Sequence, residues 1–439
     1  MMAKRKVLYI SHNHPAVRPG GAETYALELH EAIRDSENYE PFFLAKGGAP
    51  ISNTNRPHEG TLLGSADASD ANQYFFYNNC GDYDWFLGTS PNKDHHVKFL
   101  REFLRAVQPD VVHFQHTLFF GYDMIREVRN TLPNAPIIYT LHEYLPICHR
   151  NGQMMRTPDD ERCMESSPRR CHECFPAYTP QAFFMRKRFA LSQFALVDRF
   201  LAPSHFLRQR YIDWGLPADA IEFEEYGRHV PASAPQRDAD GPRNRIGFFG
   251  QFTFFKGPQV LLKAMALLAE NASRPRSAKT STDVHCWLHG ANLELQPGSF
   301  QNEFRALTEA TRANTTLAGR YQPGDIGRLM QQVDWVVIPS IWWENSPLVI
   351  QEAFMHGRPV ICSDIGGMAE KVTDGVDGLH FRAGDPQRLA ETIRRATGTP
   401  GLWEKLRAGI KPVYPIRQSA EKLTALYDRL IEKRIANEN

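Results

Sequence analysis

Short apolar runs rich in Val, Ile and Phe recur along this chain, each ending in a polar loop and followed by a helical stretch. Val7-Leu8-Tyr9-Ile10-Ser11 is the first. The loop His12–Gly20 follows it, then a helix expected over about Ala22–Arg34, with Leu27, Leu29 and Ile33 for its inner face. Asp110–Phe114 and Ile137–Leu141 repeat the pattern. Such runs are buried on both faces, which happens when helices cover a parallel sheet on both sides. Strands alternating with helices predict βαβ units.

A second series starts at Arg245-Ile246-Gly247-Phe248-Phe249-Gly250 and continues through Val284–Leu288, Trp335–Ile338 and Pro359–Cys362. Between the two series lies Val230–Asn244, with three prolines, several charges and no apolar period, which reads as a linker. With 439 residues, two α/β domains are the expected organisation. The reading is residues 1–229, a linker at 230–244, a second domain over 245–411, and a final helix in 412–439 that crosses back to the first. Two doubly wound domains predict a cleft. Ligands of open α/β sheets bind beyond the carboxyl ends of the strands. The polar stretch Ala272–Asp283 reads as a mobile loop.

Composition narrows the partners. Lys plus Arg is 51 and Asp plus Glu is 50, a net charge of +1. That balance lacks the basic excess of a nucleic-acid binder. No apolar run reaches the length of a membrane span. The basic start and the brief apolar run after it do not make a signal peptide. Seven cysteines without a secretory signal fit a reducing, cytoplasmic setting.

The most informative stretch is Pro339-Ser340-Ile341-Trp342-Trp343-Glu344-Asn345-Ser346-Pro347-Leu348-Val349-Ile350-Gln351-Glu352-Ala353-Phe354. A strand is expected to end at about Pro339 and a helix to begin at about Pro347, with Ser346 as N-cap. The first amides of that helix and its dipole make a site suited to a diphosphate. Glu352 lies six residues past the cap, roughly 9 Å along the axis, which is about the reach from a diphosphate to a ribose. Glu344, in the loop, is placed on the other side of the diphosphate.

This stretch resembles glycosyltransferase family 4, the retaining, group 1 glycosyltransferases of GT-B fold, whose signature is a pair of glutamates eight positions apart. Gly357–Glu370 and Asp374–Leu379 are similar to the family pattern as well. The resemblance implies a nucleoside diphosphate sugar donor and a hydroxyl acceptor, a glycan or lipid-linked glycan, in surface or extracellular polysaccharide assembly. Glu352 would then hold the donor ribose and Glu344, beside Asn345, the donor sugar. The amides of Ser346, Leu348 and Val349, around Pro347, would meet the diphosphate. The family usually offers an Arg and a Lys to the phosphates after the first strand of the second domain. Lys256 matches the Lys, but Gln251 stands where the Arg is expected. Arg320 is a candidate to compensate, and Arg320-Tyr321 would lie near the nucleobase. Gly21 matches the family's first phosphate loop, and His142 its strand-end histidine beside the donor sugar. His116 is a candidate for the acceptor pocket, whereas His113 reads as structural. The resemblance implies retention through front-face attack assisted by the leaving diphosphate, with no cofactor or metal for catalysis.

Cys148, Cys163, Cys171 and Cys174 fall within an insertion spanning 148–178, and their spacing is near that of a structural zinc site. Four free thiols in an irregular insertion are the other reading. Phe183-Phe184-Met185-Arg186-Lys187-Arg188-Phe189 reads as a core-facing helix with a basic turn, or as a peripheral contact with the inner membrane face. Two further classes remain open for the whole chain: a sugar-nucleotide epimerase of the same architecture, and a catalytically silent carbohydrate-binding protein.

Overall fold

The protein is described by a computed structural model covering residues 3–17, 20–47, 62–64, 70–77, 83–90, 96–230, 241–272 and 284–436. Most of the expected linker and the loop before Val284 therefore lie outside the described residues. The chain divides into two compact units, Met1–His229 with Tyr414–Asn439, and Val230–Val413.

The first unit is built on strands β1 (Arg5–Ser11), β2 (Tyr39–Gly47), β3 (Leu62–Gly64), β4 (Gln73–Tyr77), β5 (Val111–Phe114), β6 (Ile137–Thr140), β7 (Arg199–Ala202) and β8 (Ile221–Phe223). They form one sheet in the order β3-β4-β2-β1-β5-β6-β7-β8. Only β3 runs antiparallel to its neighbour. Val7, Leu8, Tyr9 and Ile10 are fully buried, as a central parallel strand requires. The chain leaves β1 for β2 on one side and returns to β5 on the other, so the strand order reverses at the ends of β1 and β5.

The second unit holds β9 (Arg245–Gln251), β10 (His285–Ala291), β11 (Thr315–Gly319), β12 (Trp335–Ile338), β13 (Val360–Ser363) and β14 (Gly378–Phe381). Their order is β11-β10-β9-β12-β13-β14, and every pairing is parallel. Here the reversal falls between β9 and β12, so the loops after those two strands meet.

The last helix, Ile416–Ala436, packs in the first unit. Tyr427 reaches His113 Nδ1 at 2.7 Å and Tyr9 Oη at 3.0 Å. Asp428 takes Arg5 and the Tyr39 hydroxyl, while Glu224 accepts from Ser419 and pairs with Lys422.

Candidate functional site

The loop after β9 is short and tightly held in the second unit. Thr253 Oγ1 accepts from the Lys256 amide and starts a single turn over Phe254–Lys256. Gly257 then adopts φ 70°, and a Cβ there would stand 1.9 Å from the Pro339 carbonyl oxygen. Only glycine permits that approach, and it sets the β9 loop against the β12 loop. Across this contact Lys256 Nζ lies 2.6 Å from Glu344 Oε1. The same oxygen accepts from Ser340 Oγ at 2.7 Å and Trp342 Nε1 at 3.0 Å. Glu344 is buried, so this carboxylate is compensated by one cation and two neutral donors.

Behind Glu344, Gly367 donates its amide to the Glu344 carbonyl. A Cβ on Gly367 would fall 1.5 Å from Asn345 O, so a second glycine fixes this loop. The following helix is Leu348–Met355 with Pro347 as its extended N-cap. Ser346 is therefore one residue outside the cap, and its hydroxyl accepts from Lys371 Nζ at 2.8 Å instead. The amides of Leu348 and Val349 open the helix and have no carbonyl four residues back within it.

Further along that helix Glu352 is half-buried. Its charge acts on Tyr321, whose hydroxyl is pushed up mainly by burial and then by Glu352. Tyr321 stands edge-on to Phe249, 5.9 Å between centroids, and to His289 at 6.2 Å. Phe249 and His289 stack at 4.8 Å and 5°.

The first unit carries a second polar cluster where its strand order reverses. His12 follows β1, Gln115 and His116 follow β5, and His142 and Glu143 follow β6. His142 Nδ1 meets Tyr226 Oη at 2.5 Å and Nε2 meets Gln115 Oε1 at 2.9 Å. With a carbonyl oxygen opposite, Nε2 carries the proton and Nδ1 accepts. Burial holds the His142 pKa down to about 3, so the ring is neutral. Gln115 is buried, and its Nε2 has no hydrogen-bond partner among the described residues.

Beside it runs a chain of four side chains. Glu23 Oε1 is 3.0 Å from His12 Nε2. The His12 and His116 rings lie 4.2 Å apart. His116 Nδ1 accepts from the Leu118 amide, which leaves the proton on Nε2, 3.6 Å from Glu143 Oε1. Although the Glu143 side chain keeps 25% of its surface open, burial of the carboxyl raises its pKa to about 8.

Two family models match. Residues 231–411 fit the group 1 glycosyl transferases and residues 19–223 fit glycosyltransferase family 4. The chain belongs to this family of glycosyltransferases. It is 30% identical over 199 residues to a D-inositol 3-phosphate glycosyltransferase of Frankia alni, covering 44% of this chain and 46% of that one. A protein of the same name from Jonesia denitrificans is 30% identical over 191 residues, 42% of each chain. The chain thus spans under half the length of these curated relatives. The Anabaena protein HepE, solved with UDP and glucose, shares the fold at TM-score 0.63 and 16% identity, over 97% of this chain and 100% of that one. Sucrose-phosphate synthase from Thermosynechococcus elongatus shares it at TM-score 0.69 and 16% identity, over 98% and 100%. The GT-B expectation holds.

Several family 4 positions look different once placed. Lys256 and Glu344 are one ion pair. Gln251 is exposed at the end of β9, and Arg320 is exposed after β11 and makes no ion pair among the described residues. Lys371, which no local sequence pattern marks, stands beside Ser346. Its signal was the Gly366–Lys371 helix in the family-like run, but nothing in that run marked which end faced the phosphate loop. Gly21 opens its helix as expected, with Gly20 as N-cap. The Glu23 carboxylate crowds that helix start, within 2.5 Å of where a Gly20 Cβ would sit. Both ring nitrogens of His142 are engaged within its own unit. His113 is structural, held by Tyr427 and by Thr140 Oγ1 at 2.7 Å.

On the helix Pro180–Phe194 the basic stretch divides between an inward and an outward side. Arg186 is buried and donates to the carbonyls of Phe86, Pro146 and Leu145, and Lys187 sits over the Trp214 ring at 5.9 Å. Phe184, Met185 and Arg188 are the residues of this stretch that face outward. No helix among the described residues is long and apolar enough to cross a membrane.

Proposed function

We propose that this chain transfers a sugar, with retention, from a nucleoside diphosphate sugar to a hydroxyl of a glycan or lipid-linked glycan. The observation that carries the reading is the line running from Lys256–Glu344 through the opening amides of the helix Leu348–Met355 to Glu352 and Tyr321. The Glu344 carboxylate, Lys256 with the helix-opening amides, the Glu352 carboxylate and an aromatic edge follow one another in the order of sugar, diphosphate, ribose and base. From Pro347 to Glu352 is roughly 7.5 Å at the helical rise, a span that still reaches from phosphate to ribose.

When a donor arrives, Lys256 exchanges Glu344 for a phosphate oxygen. Glu344 keeps Ser340 and Trp342 as donors to Oε1, so it stays ordered while its other oxygen meets the sugar hydroxyls. Lys256, Lys371 and the amides of Leu348 and Val349 then stabilise the charge that grows on the departing diphosphate. Lys371 takes the place of the cation missing at Gln251. In the first unit, the buried Gln115 amide, His116 and Glu143 suit a ligand rich in hydroxyls. Glu23 favours a hydroxyl over a bare phosphate at the helix start beside Gly21. HepE holds UDP and glucose, which makes UDP-glucose the first donor to try. Contact with a lipid-linked acceptor would rest on Phe184, Met185 and Arg188, and co-sedimentation with anionic vesicles reports it.

The test is incubation with a panel of nucleotide sugars, with and without chelator, following nucleoside diphosphate release on addition of glycan acceptors. The anomeric configuration of the product is then read by NMR. Release that depends on acceptor, survives chelation and gives a retained anomer is expected. Conversion of the sugar nucleotide alone would assign the chain to the epimerases, and binding without turnover would make it a silent carbohydrate-binding protein.

A further inference from the structure

From Arg156 to Pro180 no residue is buried, yet this segment keeps a defined shape. Met155 bridges Arg162 in antiparallel fashion, Cys163 donates its amide to Met154 O at 2.7 Å, and Pro168–Cys174 is helical with Ser167 capping it. A stretch without an apolar core needs another source of order. Its three cysteines, together with Cys148 before it, supply one. Cys148 follows the turn that starts at Tyr144, where its amide bonds the Tyr144 carbonyl. Cys163 closes the hairpin, and Cys171 and Cys174 sit one turn apart on the same helix. All four are free thiols, and all four line a single small cavity of about 20 Å³. Roughly 10–15 Å³ of such space holds one water, so the cavity has room for one ion.

We propose that Cys148, Cys163, Cys171 and Cys174 bind one structural Zn²⁺ in a tetrahedral thiolate site. His149, though adjacent, is given to packing: its ring meets Phe86, Phe175 and Tyr178 at 4.7–5.2 Å. A four-thiolate zinc carries a net charge of −2. Arg156 and Arg170 line the same cavity, and the buried Arg186 is close enough for its charge to reach Cys148 and Cys171. Arg186 also donates to three backbone carbonyls and Arg156 also pairs with Asp159 and Glu173, and the positive charge they bring to the cavity wall offsets that of a zinc–thiolate centre. Among the described residues no three Cys, His, Asp or Glu side chains already stand at ligating distance, so metal draws the thiols inward. Cys163 then gives up its Sγ contact to Glu165 O, now 3.1 Å, and each thiol releases its proton to solvent.

The site also reaches the acceptor-side cluster. Gly152, four residues past Cys148, packs so closely on Glu143 that a Cβ there would lie 2.8 Å from Glu143 Oε2. Zinc at Cys148 thereby steadies the loop that carries Glu143.

The experiment is elemental analysis of the full chain purified under reducing conditions, followed by zinc removal and cobalt loading. About one zinc per chain is expected, with cobalt giving the thiolate charge-transfer and tetrahedral ligand-field bands of a four-sulfur site. Cys171→Ser and Cys174→Ser should lose the metal and melt at lower temperature. Should these variants fail to fold, the wild-type cobalt spectrum decides alone. Cobalt bands without sulfur charge transfer, four thiols whose reactivity zinc leaves unchanged, recovery of a disulfide, or full metal content in a folded Cys171→Ser/Cys174→Ser double variant would each overturn the assignment.

Discussion

Lys256 Nζ lies 2.6 Å from Glu344 Oε1, although 88 positions separate the two residues along the chain. The pair joins the loops that follow β9 and β12, where the strand order of the second unit reverses. Its energetics are those of an exchangeable contact: Lys256 keeps 32% of its side chain exposed while Glu344 keeps 6%. The lysine can leave at small cost, and the carboxylate cannot.

That asymmetry separates two substitutions. Lys256→Ala removes a charged contact to phosphate, costing about 1.5–3 kcal/mol in nucleoside diphosphate binding. Glu344→Gln instead releases Lys256 from its partner, so the free nucleoside diphosphate should bind as well or slightly better while turnover falls at least about tenfold. Calorimetric titration of both variants, with kinetics alongside, checks the division. Equal loss of nucleotide affinity in both would rule it out.

The second cation can be tested by relocation. Lys371→Ala should weaken nucleoside diphosphate binding several-fold and leave the unphosphorylated nucleoside untouched. Adding Gln251→Arg in the same chain should recover much of the loss, because it restores a cation to the place where the family carries one. Arg320→Ala should change little, since Arg320 is exposed and makes no ion pair among the described residues. If Arg320→Ala produces the larger defect, the charge comes from β11 and not from the Gly366–Lys371 helix.

Glu352 and Tyr321 belong to the opposite end of the same line. Glu352→Gln should weaken the nucleoside and the nucleoside diphosphate by the same factor, as the proposed ribose contact would be lost in both. Tyr321→Phe should bind nearly as wild type, because the ring edge against Phe249 and His289 survives, whereas Tyr321→Ala should not. A Glu352→Gln defect confined to phosphorylated ligands would move Glu352 to the diphosphate.

The strands were legible because a parallel strand needs both faces apolar, and runs such as Val7–Ile10 and Trp335–Ile338 announce that need. Weaker ones escaped. β11 reads Thr-Thr-Leu-Ala-Gly at an exposed edge, and β8 has three residues, one of them Glu222. The loop between β12 and the helix Leu348–Met355 was legible as strand-loop-helix, with Glu344 in the loop and Glu352 on the helix. Its cap was misplaced by one residue: Pro347 takes ψ 119° and stays outside the helix, and Lys371 claims the Ser346 hydroxyl that would have capped it. Pairings across elements, such as Lys256 with Glu344 or His116 with Glu143, follow from strand order, which no local pattern encodes.

Glu143 sets the last prediction. Its folded pKa of about 8 stands above the ordinary carboxyl value of 4.5, so the folded chain holds a proton that the unfolded chain releases. Stability from this group is full below pH 4.5 and is lost as pH rises towards 8 and through it. The buried histidines act in the opposite sense. His142 falls to about 3 from an ordinary 6.5, and His116 lies well below its ordinary value. Their neutral rings make the fold gain stability as pH rises to about 6.5, and no further above it. From pH 6.5 to 8 these histidines contribute a constant amount, and the comparison with a Glu143 variant singles out this carboxyl. Melting temperature should decline across it in the wild type and decline less in Glu143→Gln, which mimics the protonated form and keeps the neighbour of His116 Nε2. Parallel melting curves for the two chains across that window would place Glu143 among ordinary ionised carboxylates.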